Sequence, residues 1–180
     1  EGHLHIAGSA SQGAINMIQS KFPALVLTVD QIINYFEFAD KEVEKAVALA
    51  FGDGIGTSIV EIEKVTDLGS AFTGNTSIVS FNELYEFTGL SSISDNAFKG
   101  CSSLQEIEIG ANVKSIGNSA FQGDSALSSI NISEDIGSVG SGAFDGCSSM
   151  DIELLSLPKI TKVEDNSFRG CASIRAFEIG

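Results

Sequence analysis

Tryptophan is absent from this sequence, and among its 180 residues proline and histidine occur only twice each and cysteine three times. An odd cysteine count, in a chain long enough to bury its own core, argues against a disulfide framework. Bases are scarce as well: ten Lys and Arg face 24 Asp and Glu, for a net charge of −14. That field repels a phosphate backbone and an anionic membrane surface, so nucleic-acid binding is set aside. No apolar run approaches the roughly 20 residues that span a bilayer, so no membrane insertion is expected. No basic-then-apolar leader opens the chain, and the start Glu1-Gly2-His3-Leu4 reads as the interior of a longer gene product. Hydrolase signatures are missing too: there is no G-x-S-x-G, no H-E-x-x-H and no spaced Cys–His pair. A non-enzymatic protein with no cofactor is the expectation.

Glycine, by contrast, is plentiful at 19 residues, which points to many turns rather than long helices. The turns recur. Ala-Phe followed by x-Gly stands at Ala71-Phe72, Ala97-Phe98, Ala120-Phe121 and Ala143-Phe144, with Ser167-Phe168 as a variant. The five phenylalanines are 26, 23, 23 and 24 residues apart, and glycine follows each two residues later, at Gly74, Gly100, Gly123, Gly146 and Gly170. An apolar scaffold keeps the same phase: Phe98, Cys101, Leu104, Ile107, Ile109, Val113 and Ile116 in one copy, and Phe121, Asp124, Leu127, Ile130, Ile132, Ile136 and Val139 in the next.

The segment L-x-x-I-x-I ends in alternation, so Ile107 and Ile109 share one face of a strand and Glu106 and Glu108 the other. One such strand cannot bury its apolar face alone. Copies stacked at about 4.8 Å build a parallel sheet over one continuous core, with the Ala-Phe ring filling the core beneath each rung. The period lies in the range of roughly 20–29 residues typical of leucine-rich repeats.

The wording from Ala97 to Phe121 resembles the BspA-like leucine-rich repeats of bacterial surface proteins, and residues 76–98 are similar to the longer first repeat of that group. The resemblance covers about residues 57–180. It implies an extracellular or cell-surface protein that adheres to a host, matrix or neighbouring-cell protein. One copy departs from the pattern: after Cys147 the apolar positions are Ile152, Leu155, Leu157, Ile160 and Val163, which implies two residues inserted before the strand and one fewer after it. The last rung stops at Phe177-Glu178-Ile179-Gly180, where its strand has only just formed, suggesting a truncated array or a cap supplied by a neighbour.

Residues 1–50 have another rhythm. His3 to Ala7 alternates as a strand, Ser9 to Gln12 offers a helix start, Pro23 ends that helix, and Leu25 to Val29 reads as a second strand. Ile32 to Phe38 is expected to press on the first rung. Asp40 caps a helix with Val43, Ala46, Val47 and Ala50 on one face. The expected fold class is therefore α+β: a leucine-rich-repeat solenoid of about five rungs over residues 56–180, preceded by a small β-α-β cap domain over residues 1–55.

Several motifs carry a chemical reading and a plainer one. His3 and His5 share a strand face but lack further ligands, so no metal role is assigned. Gly52-Asp53-Gly54 follows a helix rather than a strand and no Lys-Ser/Thr follows it, which rules out a phosphate loop. The resemblance brings to this place an EF-hand-like segment, yet only Asp53 remains, with Glu61 and Glu63 downstream, against the roughly six oxygens calcium needs. Cys101, Cys147 and Cys171 share a repeat phase, Asp124 standing between them, and read as buried free thiols. Glu106 and Glu108 share a face, but an open sheet lacks the pocket that would make them an acid–base pair.

The candidate site is the outward sheet face, since solenoids commonly bind through it. By register it carries Ser80, Asn82, Glu106, Glu108, Ser129 and Asn131, then Leu154, Ser156, Ala176 and Glu178. A protein partner with a basic patch is expected there. The alternatives are a glycan-processing or glycan-binding accessory, and a spacer displaying another domain.

Overall fold

A computed structural model describes residues 38–51 and 59–180. The β-α-β reading of residues 1–37, the loop around Asp53 and the boundary at residue 55 lie outside the described residues.

The first described element is helix α1 (Lys41–Phe51), which buries Val43 and Val47 and turns Glu42 and Glu44 toward solvent in its first turn, where the helix dipole favours anions. Asp40 caps it, as the sequence indicates. Its Oδ1 accepts the Glu42 amide at 2.8 Å, satisfying one of the free N–H groups of the first turn. Oδ2 does something the sequence does not announce: it accepts the amides of Val79 at 2.7 Å and Ser80 at 3.2 Å, at the start of the first repeat strand. Burial raises the cost of ionising Asp40, but these amide bonds outweigh it and hold its carboxyl below the usual range. One carboxylate thus ties the cap helix to the solenoid. Phe38, just before it, is buried with its ring 6.0 Å from that of Phe81, so the end of the aromatic-rich segment does press on the first rung. A short helix α2 (Ile59–Lys64) then leads into the repeats.

The repeats wind into a β-solenoid of about four turns. Strands β1 (Ser80–Phe81), β3 (Glu106–Glu108) and β5 (Ser129–Asn131) form one parallel ladder, with Ser80, Glu106 and Ser129 in one row. On another side β2 (Ser92–Ile93), β4 (Ser115–Ile116), β6 (Ser138–Val139) and β9 (Lys162–Val163) form a second, four-stranded ladder. The Ala-Phe turns make the third side. There the amides of Phe98, Phe121 and Phe144 donate to Ala120, Ala143 and Ser167 of the next turn at 2.8, 2.7 and 2.7 Å, so each turn is bonded to its successor outside the sheets as well. The glycine two residues after each Phe has φ between 71° and 84°, a conformation that costs other L-residues about 1–2 kcal/mol.

Inside, Phe72, Phe98, Phe121 and Phe144 are fully buried and stack with Phe168 in one column. Ring centroids are 5.1–5.2 Å apart, and the two central pairs are within 3° of parallel. The spacing slightly exceeds the strand separation, which gives the offset stacking aromatic rings prefer. Phe168 is only half-buried because, among the described residues, no turn covers its far side.

The structure corrects the expectation of one unbroken sheet. No strand pairing joins β5 to the next rung: β7 (Asp151–Ile152) pairs with β10 (Ser173–Ile174), and β8 (Leu155–Leu157) with β11 (Phe177–Ile179), as separate two-stranded ladders. The extra residues after Cys147 are the cause, since they displace the strand while Met150 and Leu155 keep the core filled. Asn82 is corrected too. It opens a 3-10 helix (Asn82–Glu86) instead of extending β1. The Phe72–Phe98 interval is three residues longer than the 23-residue spacings that follow, and those three make one 3-10 turn.

Replacing Asp40 with alanine removes a helix cap and two inter-element hydrogen bonds together. We expect a loss of about 2–3 kcal/mol in urea unfolding; a loss below about 0.5 kcal/mol would show that the helix docks without this carboxylate.

Candidate functional site

The outward residues of the three-stranded ladder lie in two rows, Ser80–Glu106–Ser129 and Glu108–Asn131. Their spacing along the ladder is the rung spacing, so each side chain can reach its neighbour. Asn82 Nδ2 donates to Glu106 at 3.1 Å and Asn131 Nδ2 reaches Glu108 at 3.4 Å. Beyond the break, Leu154 is exposed, and Ser156 donates to Glu178 at 2.7 Å across the β8–β11 pair; Ala176 is exposed beside it. The structure therefore gathers Ser80, Asn82, Glu106, Glu108, Ser129 and Asn131 on one surface and sets Leu154, Ser156, Ala176 and Glu178 on a neighbouring one. Charge on this face is of one sign.

Tyr85 is the residue the sequence reading passes over. It sits on the 3-10 helix, 47% exposed, beside the end of β3. An open hollow of about 420 Å³ lies between it and Glu108, Asn112 and Asn131. The longer first repeat was the available signal, but only the path of its three extra residues reveals which side chain they present.

A second feature lies inside. Cys101 Sγ donates to the Phe72 carbonyl at 3.0 Å, Cys147 to Phe121 at 3.1 Å and Cys171 to Phe144 at 3.1 Å, so each thiol satisfies the Phe carbonyl one turn earlier. All three are free thiols; Cys101 and Cys147 are buried, whereas Cys171, on the last described turn, is only half-buried, which corrects that part of the expectation. Burial, and then the charge of Asp124, push the Cys101 thiol up to about 12; the bond with Cys171 and burial push Cys147 up as well. By register Asp124 belongs to this series, opposite the Phe98 carbonyl. It is 0% exposed, and neither carboxyl oxygen has a hydrogen-bond partner. The amides of Cys101 and Gly100 pull its pKa down, but both are committed to main-chain carbonyls at 2.9 Å, and burial wins, raising the carboxyl to about 7. Only the protonated form has a hydrogen to offer.

Residues 70–180 match the family model of the BspA type leucine rich repeat region, in six copies. The chain belongs to this family. Among solved structures it is similar to a leucine-rich repeat protein from Bacteroides ovatus, at 30% identity and a TM-score of 0.55, over 63% of this chain and 29% of that one. It is also similar to a leucine rich cell surface protein from Faecalibacterium prausnitzii, at 24% identity and a TM-score of 0.42, over 51% of this chain and 30% of that one. A leucine rich repeat protein of T. pallidum is similar at 24% identity and a TM-score of 0.40, over 53% of this chain and 49% of that one. No curated protein matches. The chain thus spans less than a third of the Bacteroides protein's length. BspA-type repeats explain the shared phase of the Phe, Cys and Ile positions. Among the described residues, no helix is long and apolar enough to cross a membrane.

Asp124 gives this repeat array a pH signature. Its carboxyl is raised from 3.8 to about 7 on folding, so its contribution is fully present below pH 3.8 and is lost as pH rises through 7. Asp124→Asn, which keeps the shape and supplies a donor, should match the parent near pH 4 and be more stable by roughly 2–4 kcal/mol at pH 8. Chemical denaturation at both pH values checks this; equal stability at pH 8 would contradict it.

Proposed function

We propose that this chain is a non-enzymatic interaction module, displayed on or outside a bacterial cell, that binds a protein partner carrying a basic patch through the outward face of its repeats. The observation behind this is the pair of rows Ser80–Glu106–Ser129 and Glu108–Asn131 on a parallel ladder, in a chain of net charge −14. Glu106 is exposed and Glu108 half-buried, and among the described residues their side-chain hydrogen bonds are to neighbouring amide side chains, so the carboxylates stay available to a partner's cations. Repeat solenoids offer broad surfaces of this type, and leucine-rich repeats commonly serve as protein-binding modules. Against catalysis stands the placement of the one carboxyl among the described residues that is raised to about 7: Asp124 is sealed in the core, where no substrate reaches it. The face-forming residues Ser80, Asn82, Glu106, Glu108, Ser129 and Asn131 form the main contact in this reading, and Leu154, Ser156 and Glu178 extend it.

Opposite charge speeds encounter and makes affinity fall with salt, whereas a buried apolar contact governs the off-rate. With a partner captured from cell lysate or extracellular matrix, Glu106→Lys with Glu108→Lys should slow association about tenfold or more at low salt, with a smaller effect at high salt. Leu154→Ala should mainly speed dissociation. Lys99→Glu and Gln122→Lys, on the Ala-Phe side, should change neither. Binding kinetics at two ionic strengths decide: if the Ala-Phe-side changes abolish binding and the double reversal leaves it intact, the sheet face is not the site.

A further inference from the structure

The hollow beside Tyr85 differs from the rest of the outward face in having depth. Its wall on one side is Tyr85, which the 3-10 turn of the first rung lifts out of the ladder to 47% exposure. Its other side is Glu108 and Asn131, the last outward row of the sheet, and Asn112 closes the end by donating from Nδ2 to the Thr88 carbonyl at 2.9 Å. Gly110 forms the floor. A Cβ there would stand 3.2 Å from both the Cα and the carbonyl oxygen of Tyr85, so glycine is what lets this rung pass close under the Tyr85 backbone. The hollow is therefore built from two consecutive rungs rather than left between loose side chains.

Its electrostatics are one-sided. Glu108 lines it, and Glu86 and Glu83 flank the tyrosine on its own helix. The Tyr85 phenol is held above the usual tyrosine range, first by its hydrogen bond with Glu86 and that residue's charge, then by burial, and then by the charges of Glu108 and Glu83. Lys114 is the base whose ammonium reaches the lining, at the Ala111 carbonyl, and it is committed to Asp135 at 2.7 Å. An aromatic side chain beside a half-buried carboxylate, with a side-chain amide next to it, is the arrangement that holds a guanidinium: the ring attracts the cation by its quadrupole, the carboxylate pairs with it, and a planar donor fork can share two acceptors.

We propose that this hollow is an anchor pocket for a single arginine side chain of the protein partner, stacked on Tyr85 and paired with Glu108. This rests on the sheet-face reading and adds the partner's chemistry: one arginine inserted at a fixed point, with the acidic rows steering the approach. A buried aromatic–arginine contact at one spot would also supply the hot spot that a polar sheet face otherwise lacks.

The test uses the whole chain and a small probe, N-acetyl-arginine amide, with the neutral citrulline analogue as control, followed by amide shifts in two-dimensional NMR. The arginine probe should bind in the millimolar range, shifting the amides of Gly110, Ala111 and Asn112, while the citrulline probe leaves them in place. Tyr85→Ala and Glu108→Gln should each weaken the probe at least fivefold; Tyr85 is exposed and Glu108 half-buried, and unchanged spectra elsewhere will show that the variants fold. Glu164→Gln, after β9, should have no effect. Equal shifts with citrulline, shifts with an oligosaccharide in place of arginine, or binding that survives both substitutions would overturn the proposal. If the probe binds only around Glu106 and Ser129, the pocket is wrong while the sheet-face reading stands. If the Glu106/Glu108 reversal leaves partner binding intact, that reading fails whatever the probe does.

Discussion

A column of phenylalanine rings, one per turn, sets the geometry of everything else. Phe98, Phe121 and Phe144 can lie within 3° of parallel at 5.1–5.2 Å only if successive turns are in register and separated by one strand spacing. That pitch brings the amide of each Phe onto the carbonyl of the next Ala-Phe mark, brings each thiol onto the Phe carbonyl of the preceding turn, and aligns Ser80, Glu106 and Ser129 on the opposite side. Each ring contributes roughly 2–3 kcal/mol of burial, but its larger effect is to fix which residues face out. A one-residue slip on any strand would carry glutamates inward and isoleucines outward.

The surface that results is short-chained and acidic, and its hydrogen bonds run between rungs: Asn82 to Glu106, Asn131 to Glu108, Ser156 to Glu178. Such bonds hold the carboxylates in place without neutralising them. The contrast with the Ala-Phe side is informative. There Asp145 takes two bonds from Arg169, and between the strands Asp135 is shared by Lys114 and Lys159, which hold its carboxyl down to about 2. Asp135, Asp145 and Asp151 have cationic partners within the chain, whereas Glu106 and Glu108 do not have one among the described residues. This asymmetry is what the proposed partner would complete.

The parts of this arrangement that depend on periodic burial can be read from the residues alone. The Phe marks, the glycines at positive φ, the inward Ile107 and Ile109 and the Asp40 cap all follow from spacing and propensity. What depends on the path of inserted residues cannot. The three additional residues of the first repeat could have entered as a loose loop, and only their closure into a 3-10 turn raises Tyr85 over Gly110. The residues inserted after Cys147 could be counted, but that they would split the sheet into separate ladders depended on whether β5 could still reach β8. The second ladder was visible only as single apolar positions, Ile116, Val139 and Val163, because its strands are two residues long. Asp124 was seen as a substitute for cysteine; the rise of its carboxyl to about 7 follows from burial, with the nearby Cys101 and Gly100 amides committed to main-chain carbonyls, which is a property of the packed core.

Amide hydrogen exchange in the native chain and in Phe121→Ala tests the stacking account most directly. If the ring column couples the turns, removing one ring costs about 3–5 kcal/mol, and the loss appears equally at the amides of Phe98 and Phe144 on the flanking turns. Loss of protection confined to residues 119–127, with the Phe98 and Phe144 amides exchanging as in the parent, would contradict it.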